Sequence, residues 1–231
     1  MSVAVHAIPL GVTRCYLLVG RDGRAILVDG GAPDGERAFR AGLARHGIVP
    51  EQIGLLLLTH GHWDHFGTAA AIREITGAKV AIHHAEAQRV EGALKMMPAA
   101  VTLWGRLFGT VIAGVMRAAK LPPCPVDLQV GDDGLDLSPF GIAGRAIHTP
   151  GHSPGSLTVL VDGGDAYVGD MAMNGPPLTL RPGLPIFAEE PAKLAESWLR
   201  VLEAKPHTVH PAHGKPFPAQ VMRSRLELTS T

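Results

Sequence analysis

Short apolar runs alternate with amphipathic stretches along most of the chain. Residues 3–8, 14–19 and 25–28 have the length and composition of strands, with Arg21-Asp22-Gly23 as the turn between the last two. Residues 34–46 set Phe39 and Leu43 on one face and charges on the other, and Gly47 follows as a cap, which predicts a helix. Residues 54–58 form a continuous apolar run, the mark of a strand buried on both faces. A helix over 64–75, closed by Gly77, and a strand over 79–82 come next. The second half repeats the theme, with strands over 126–130, 142–148, 156–161 and 166–168, a helix over 192–204 and a strand over 208–210. This order predicts an α/β (α+β) chain, a core of two sheets covered by helices on its outer faces.

Residues 96–119 break the pattern. Their only charges are Arg106 and Arg117, which share one helical stripe, while Trp104, Phe108 and Ile112 fall on another. Pro122, Pro123 and Pro125 end the segment. It reads as a mostly apolar helical insert near 90–120, serving as a core helix, a lid or a dimer surface. It is too interrupted to span a bilayer. With no linker or low-complexity tract in between, residues 1–231 are expected to form a single domain.

Composition narrows the function classes. Of 231 residues 46% are hydrophobic, which excludes a disordered, solvating chain. Lys+Arg and Asp+Glu both total 21, so the formal net charge is zero, which argues against a nucleic-acid binder that neutralises many phosphates. Cys15 and Cys124 are too few for a disulfide framework and fit a reducing compartment. The N-terminus lacks a basic segment followed by a clean apolar one, so no signal peptide is expected. The expected setting is cytoplasmic, with a small-molecule substrate, no nucleic acid, no membrane span and room for a homodimer.

Twelve histidines are many for this length, and they cluster. Thr59-His60-Gly61-His62-Trp63-Asp64-His65 directly follows the buried strand. A strand-to-helix loop can turn three imidazoles and a carboxylate toward one point. Imidazole nitrogen with carboxylate oxygen suits zinc, iron or manganese. Two ligands at i, i+2 can reach one ion, and Asp64 and His65 can reach a second. Neither site is complete without donors from elsewhere. The chain offers three candidates, each just after a strand: His148-Thr149-Pro150-Gly151-His152, Gly169-Asp170, and His210-Pro211-Ala212-His213-Gly214.

The motif His-x-His-x-Asp-His, a Thr-Pro-Gly-His loop, Gly-Asp and a Pro-x-His-Gly terminus, in that order, resemble the metallo-β-lactamase-fold metallohydrolase superfamily over nearly the whole chain. The resemblance implies an αββα sandwich, two mixed sheets flanked by helices, with the metals at one edge. It implies that His60, His62 and His152 bind a first ion, that Asp64, His65 and His213 bind a second, and that Asp170 bridges them. Two divalent ions are implied, zinc first, with manganese or iron as alternatives. Asp64 and Asp170 are the implied catalytic carboxylates, offsetting charge around a metal-bridging hydroxide. Asp29 matches a position that steadies the ligand loop by hydrogen bonds. His148 reads as a residue beside the site or in the core, and His83 and His84 as surface or capping residues. His210 is the rival of His213 for its place, and the Pro-x-His-Gly frame favours His213; His6, His46 and His207 are read as structural or exposed.

Membership does not fix the substrate. The 18 residues after His213 leave little room for the glutathione-recognising domain of glyoxalase II. No flavodoxin domain, basic arm or export signal points to a flavodiiron reductase, a nuclease or an exported β-lactamase. The small size and the Thr-Pro-Gly-His-Ser-Pro-Gly loop resemble acyl-homoserine lactonases and related esterases, and an ester or lactone is the expected substrate. Thioester, phosphodiester and β-lactam hydrolysis are alternatives within the fold. A mononuclear iron persulfide dioxygenase using His60, His62, His152 and Asp170, and a non-catalytic ligand sensor, are alternatives of other classes.

Overall fold

The computed structural model describes residues 3–229. Met1, Ser2, Ser230 and Thr231, which the single-domain expectation and the reading of the N-terminus include, lie outside the described residues. The first half of the chain lays down strands β1 (Ala4–Leu10), β2 (Thr13–Val19), β3 (Ala25–Val28), β4 (Ile53–Leu57), β5 (Lys79–His83) and β6 (Leu128–Val130). They hydrogen-bond in chain order, antiparallel up to β3 and parallel from there on. The second half forms a separate sheet from β7 (Leu135–Asp136), β8 (Gly144–His148), β9 (Leu157–Val161), β10 (Asp165–Gly169), β11 (Thr208–Pro211) and β12 (Phe217–Pro218). Only β10 and β11 run parallel there. Both sheets are therefore mixed, as expected.

The apolar run of β4 explains the layering. Leu55 and Leu57 face the second sheet, in a cluster with Tyr16, Val28, Val159 and Tyr167. Leu56 and Leu58 face the other way, toward Phe39, Leu43 and Ile72 of the helices α1 (Glu36–His46) and α3 (Ala69–Thr76). On the far side, Val168 and Val209 meet Trp198 and Val201 of α6 (Leu194–Glu203) and Met222 of α7 (Gln220–Thr229). The layers run helix, sheet, sheet, helix.

The expected helix over 64–75 is two pieces, α2 (Trp63–Phe66) and α3. A Cβ on Gly67 would overlap Pro33, and the Thr68 hydroxyl accepts the Gly35 N–H and donates to the Ala32 carbonyl. The chain bends at Gly67-Thr68 to satisfy those groups rather than extend the helix. A short helix, α4 (Ala87–Glu91), precedes the apolar α5 (Leu103–Ala118). The Thr102 side chain caps α5 by accepting the Gly105 N–H. Among the described residues no helix is long and apolar enough to cross a membrane. Cys15 and Cys124 are free and buried.

Candidate metal centre

Every predicted site residue follows a strand end at one edge of the two sheets, in a loop or in the first turn of a helix. The loop after β4 brings His60 and His62, and the short helix α2 that follows it brings Asp64 and His65; the loops after β8, β10 and β11 bring His152, Asp170 and His213. All the histidines of this set and Asp170 are buried. One donor atom from each member of three groups falls within 4.8 Å of the others: His60–His62–His152, His60–His65–Asp170 and Asp64–His65–His213.

Hydrogen bonds on the outer sides of the imidazoles fix where their lone pairs point. A carbonyl only accepts, so His152 Nδ1 donates to Phe187 O at 2.9 Å and Nε2 carries a lone pair inward. His62 Nε2 donates to Glu189 Oε1 at 3.2 Å, turning the Nδ1 lone pair inward. The Thr59 hydroxyl donates to Asp29 and accepts from His60 Nδ1 at 3.1 Å, which leaves His60 Nε2 buried with no partner. His62 Nδ1 and His152 Nε2 then face each other at 3.0 Å with a lone pair each. A cation between them, a proton or a metal ion, relieves that contact. The donors, all nitrogen and oxygen, fit a divalent ion of the zinc, iron or manganese type.

The second trio is held the same way. His65 Nδ1 donates to Asp29 Oδ2 at 3.0 Å, and His213 Nδ1 to Val12 O at 3.1 Å. His213 Nε2 lies 3.2 Å from Asp64 Oδ2. Asp170 stands between the trios. Its Oδ2 is 3.5 Å from His152 Nε2, and its Oδ1 is 3.3 Å from both His65 Nε2 and His213 Nε2. Asp170 Oδ1 and His65 Nε2 nevertheless lack a well-directed hydrogen bond. The two carboxylate oxygens thus address different trios.

The electrostatics differ between the trios. Burial pushes His152 down to about 4 and His60 well below its ordinary value, so both are neutral. Burial also opposes charge on His65 and His213, but neighbouring carboxylates outweigh it. Asp29 and Asp170 raise His65 well above its usual range, and Asp170 and Asp64 lift His213 to about 10.

Asp29 does what its position suggested. Its Oδ1 accepts the Thr59 N–H at 2.8 Å and the hydroxyl at 2.9 Å, while its own backbone sits at φ 66°. A non-glycine residue in that region marks a site where the fold holds a strained conformation in place.

Three residues that the sequence reading passed over support the loops. Glu86, fully buried, accepts the N–H of Gly61 at 2.8 Å and of Gly155 at 2.9 Å, tying the His60 loop to the His152 loop. Arg89 forks onto Glu189 at 2.6 and 2.8 Å, and Glu189 holds His62. His210 lies off the site, paired with Asp165 at 2.8 Å. His83 and His148 stack at 4.1 Å and both approach Asp132, away from the two trios.

A cavity of about 290 Å³ opens over the centre. His62, Asp64, His152, Asp170 and His213 line it on one side, while Met97, Phe108, Ile112, Leu178 and Phe187 give it an apolar wall. Helix α5 supplies much of that wall.

The comparisons bear on the family and the fold. The sequence profile described as the Metallo-beta-lactamase superfamily matches residues 8–213. A probable metallo-hydrolase of Bacillus subtilis, YqgX, is 31% identical over 162 residues, covering 69% of this chain and 66% of that protein. The metallo-beta-lactamase fold-containing protein ST1585 of Sulfurisphaera tokodaii is 26% identical over 235 residues, covering 96% and 83%. Among solved structures, the BLEG-1 B3 metallo-beta-lactamase superposes with a TM-score of 0.72 at 22% identity, covering 99% of this chain and 100% of that one. TTHA1623 in a di-iron-bound form gives 0.68 at 26%, covering 95% and 97%.

Proposed function

The chain belongs to the metallo-beta-lactamase superfamily of metal-dependent hydrolases, and from that premise we propose that it is a dinuclear enzyme cleaving a small ester or lactone. The observation that carries this reading is the junction of two His/Asp trios through Asp170 at one side of a cavity whose opposite wall is apolar.

In this reading His60, His62 and His152 hold one ion, Asp64, His65 and His213 the other, and Asp170 offers one oxygen to each. Divalent ions held there would supply Lewis acidity and a bound water of lowered pKa. The chain's own residues do the rest. Asp29, Glu189, Phe187 O and Val12 O fix the orientation and tautomer of the imidazoles, so the donors need little rearrangement. Asp64 and Asp170 are the catalytic carboxylates. Both offset the positive charge of the centre. Phe108, Ile112 and Phe187 shelter the reacting carbonyl from bulk water and accept an acyl chain.

Zinc is the first choice of metal. Iron is the alternative favoured by a specific observation, the di-iron form of TTHA1623 together with a donor set free of thiolate. The two free, buried cysteines support a reducing, cytoplasmic setting.

The test is a set of initial rates for the zinc-, manganese- and iron-loaded protein. The substrates are a short and a long acyl-homoserine lactone, an aryl ester, a thioester, an aryl phosphodiester and a chromogenic β-lactam. A lactone or ester is expected to lead by about 100-fold, roughly 2.7 kcal/mol of transition-state preference. Turnover confined to the phosphodiester or the β-lactam would overturn the assignment.

A further inference from the structure

Helix α5 is apolar on two faces, and only one of them is used by the fold. The inner face turns Phe108 and Ile112 to the cavity and packs Met116 near Trp63 and Ala32. The outer face carries Leu103, Leu107, Val111 and Val115, four residues apart in succession, with 81%, 66%, 60% and 53% of each exposed. Trp104, beside them, is 45% exposed and donates its indole N–H to Pro177 O at 2.8 Å. Leu180, three residues beyond that carbonyl, is 90% exposed.

The charges of this segment have one sign. Arg106 and Arg117 flank it on the same side of the helix, and Lys95 and Lys120 stand before and after it, all exposed. No Asp or Glu occurs between Glu91 and Asp127. The helix has 16 residues and cannot cross a bilayer.

We propose that the outer face of α5 docks this protein on a membrane surface rich in anionic headgroups, with the helix lying in the interfacial plane. An apolar stripe inserted to the depth of its side chains, edged by lysine and arginine, fits such a surface on both counts. A second copy of the chain fits it worse. A two-fold interface sets the same patch against itself, which would confront four cations with four and supply no acid from this segment. The cavity adds a reason for the location, one that rests on the proposed hydrolase reading. Val111 and Val115 belong both to the exposed stripe and to the cavity lining, so an acyl chain has a short path from lipid to the centre.

The experiment uses the full chain and two sets of vesicles, phosphatidylcholine alone and phosphatidylcholine with phosphatidylglycerol. Binding is read by flotation and by tryptophan emission. Trp63 and Trp198 are 8% and 1% exposed, so Trp104 reports the surface. The expected result is binding at least about tenfold tighter to vesicles with roughly 30% phosphatidylglycerol, a blue shift of emission, and weakening in about 0.5 M salt. Leu103→Asp with Leu107→Asp, neither of which lines the cavity, is expected to abolish flotation with the circular dichroism spectrum intact. Should that variant misfold, Arg106→Glu with Arg117→Glu tests the same surface by losing the preference for anionic vesicles. No flotation of the wild-type chain, or equal binding to both vesicle types, overturns the proposal. So does a wild-type dimer that the Leu103→Asp, Leu107→Asp variant converts to monomer, because a second copy would then cover the stripe.

Discussion

The carboxylate of Asp29 accepts the Nδ1–H of His65 at 3.0 Å, and both groups are buried. The same carboxylate holds the backbone and hydroxyl of Thr59, immediately before His60. One side chain therefore orients a donor in each trio. Asp29→Asn keeps the shape but removes the charge and one acceptor. Metal affinity is expected to fall by about 10- to 100-fold, with activity falling in parallel. Elemental analysis after dialysis at limiting zinc checks the first effect, and kcat/KM under metal saturation checks the second.

Asp64→Ala tests the second trio. The carboxylate meets His213 at 3.2 Å and lines the cavity. Its loss is expected to lower activity by about 100-fold or more without unfolding the chain. Wild-type turnover from a variant that retains a single ion would show that a second ion is not needed.

Glu86 gives a prediction about stability. Its two oxygens satisfy the buried N–H groups of Gly61 and Gly155. In Glu86→Gln one of those N–H groups meets an amide NH2 instead of an acceptor. The expected loss is about 1–3 kcal/mol, measured by denaturant unfolding of the metal-free protein. An unchanged midpoint would mean that the two loops do not depend on this clamp.

The pH dependence follows from His213. With its pKa lifted to about 10 from an ordinary 6.5, the metal-free protein holds this imidazole protonated at neutral pH. That charge contributes stability in full below pH 6.5 and loses it as pH rises toward 10. An ion bound at Nε2 must displace the proton, so metal affinity rises over the same range. Calorimetric titration in buffers of different ionisation enthalpy at about pH 8 should show proton release on metal uptake. Uptake without proton release would refute a charged His213.

Gly214, next to His213, sits at φ 108°, and a Cβ there would overlap the Asn174 carbonyl. Gly214→Ala is expected to destabilise the chain by about 2 kcal/mol or more and to reduce metal loading. Thermal melting with and without zinc separates the two effects.

Much of this molecule is legible in the sequence because the relevant signals are local. The apolar run of β4 and the His60–His65 motif adjoin, so strand, loop and donors could be read together. His152, Asp170 and His213 each follow a strand in the same way. The supporting residues carry no such signal. Glu86 lies 25 residues from Gly61, Arg89 lies 100 from Glu189, and Glu189 lies 127 from His62. Each is an ordinary charged residue until the fold brings it to its partner. The break between α2 and α3 was hidden for a related reason, since the apolar spacing continues through Gly67 and only the contacts with Ala32, Pro33 and Gly35 interrupt it. In α7, Val221, Met222 and Leu226 join the cluster beneath α6, but their spacing alone does not mark a helix.

The two sheets are each built from a contiguous stretch of chain, with residues 131–134 between them. Neither half owns a complete set of donors. The first contributes His60, His62, Asp64 and His65, and the second contributes His152, Asp170 and His213. An ion bound by either trio is thus a rivet between two halves that could be made as separate polypeptides. Cut at that junction, the fragments should reassociate more tightly with metal than without it, and the chelator that silences the enzyme should also loosen its seam.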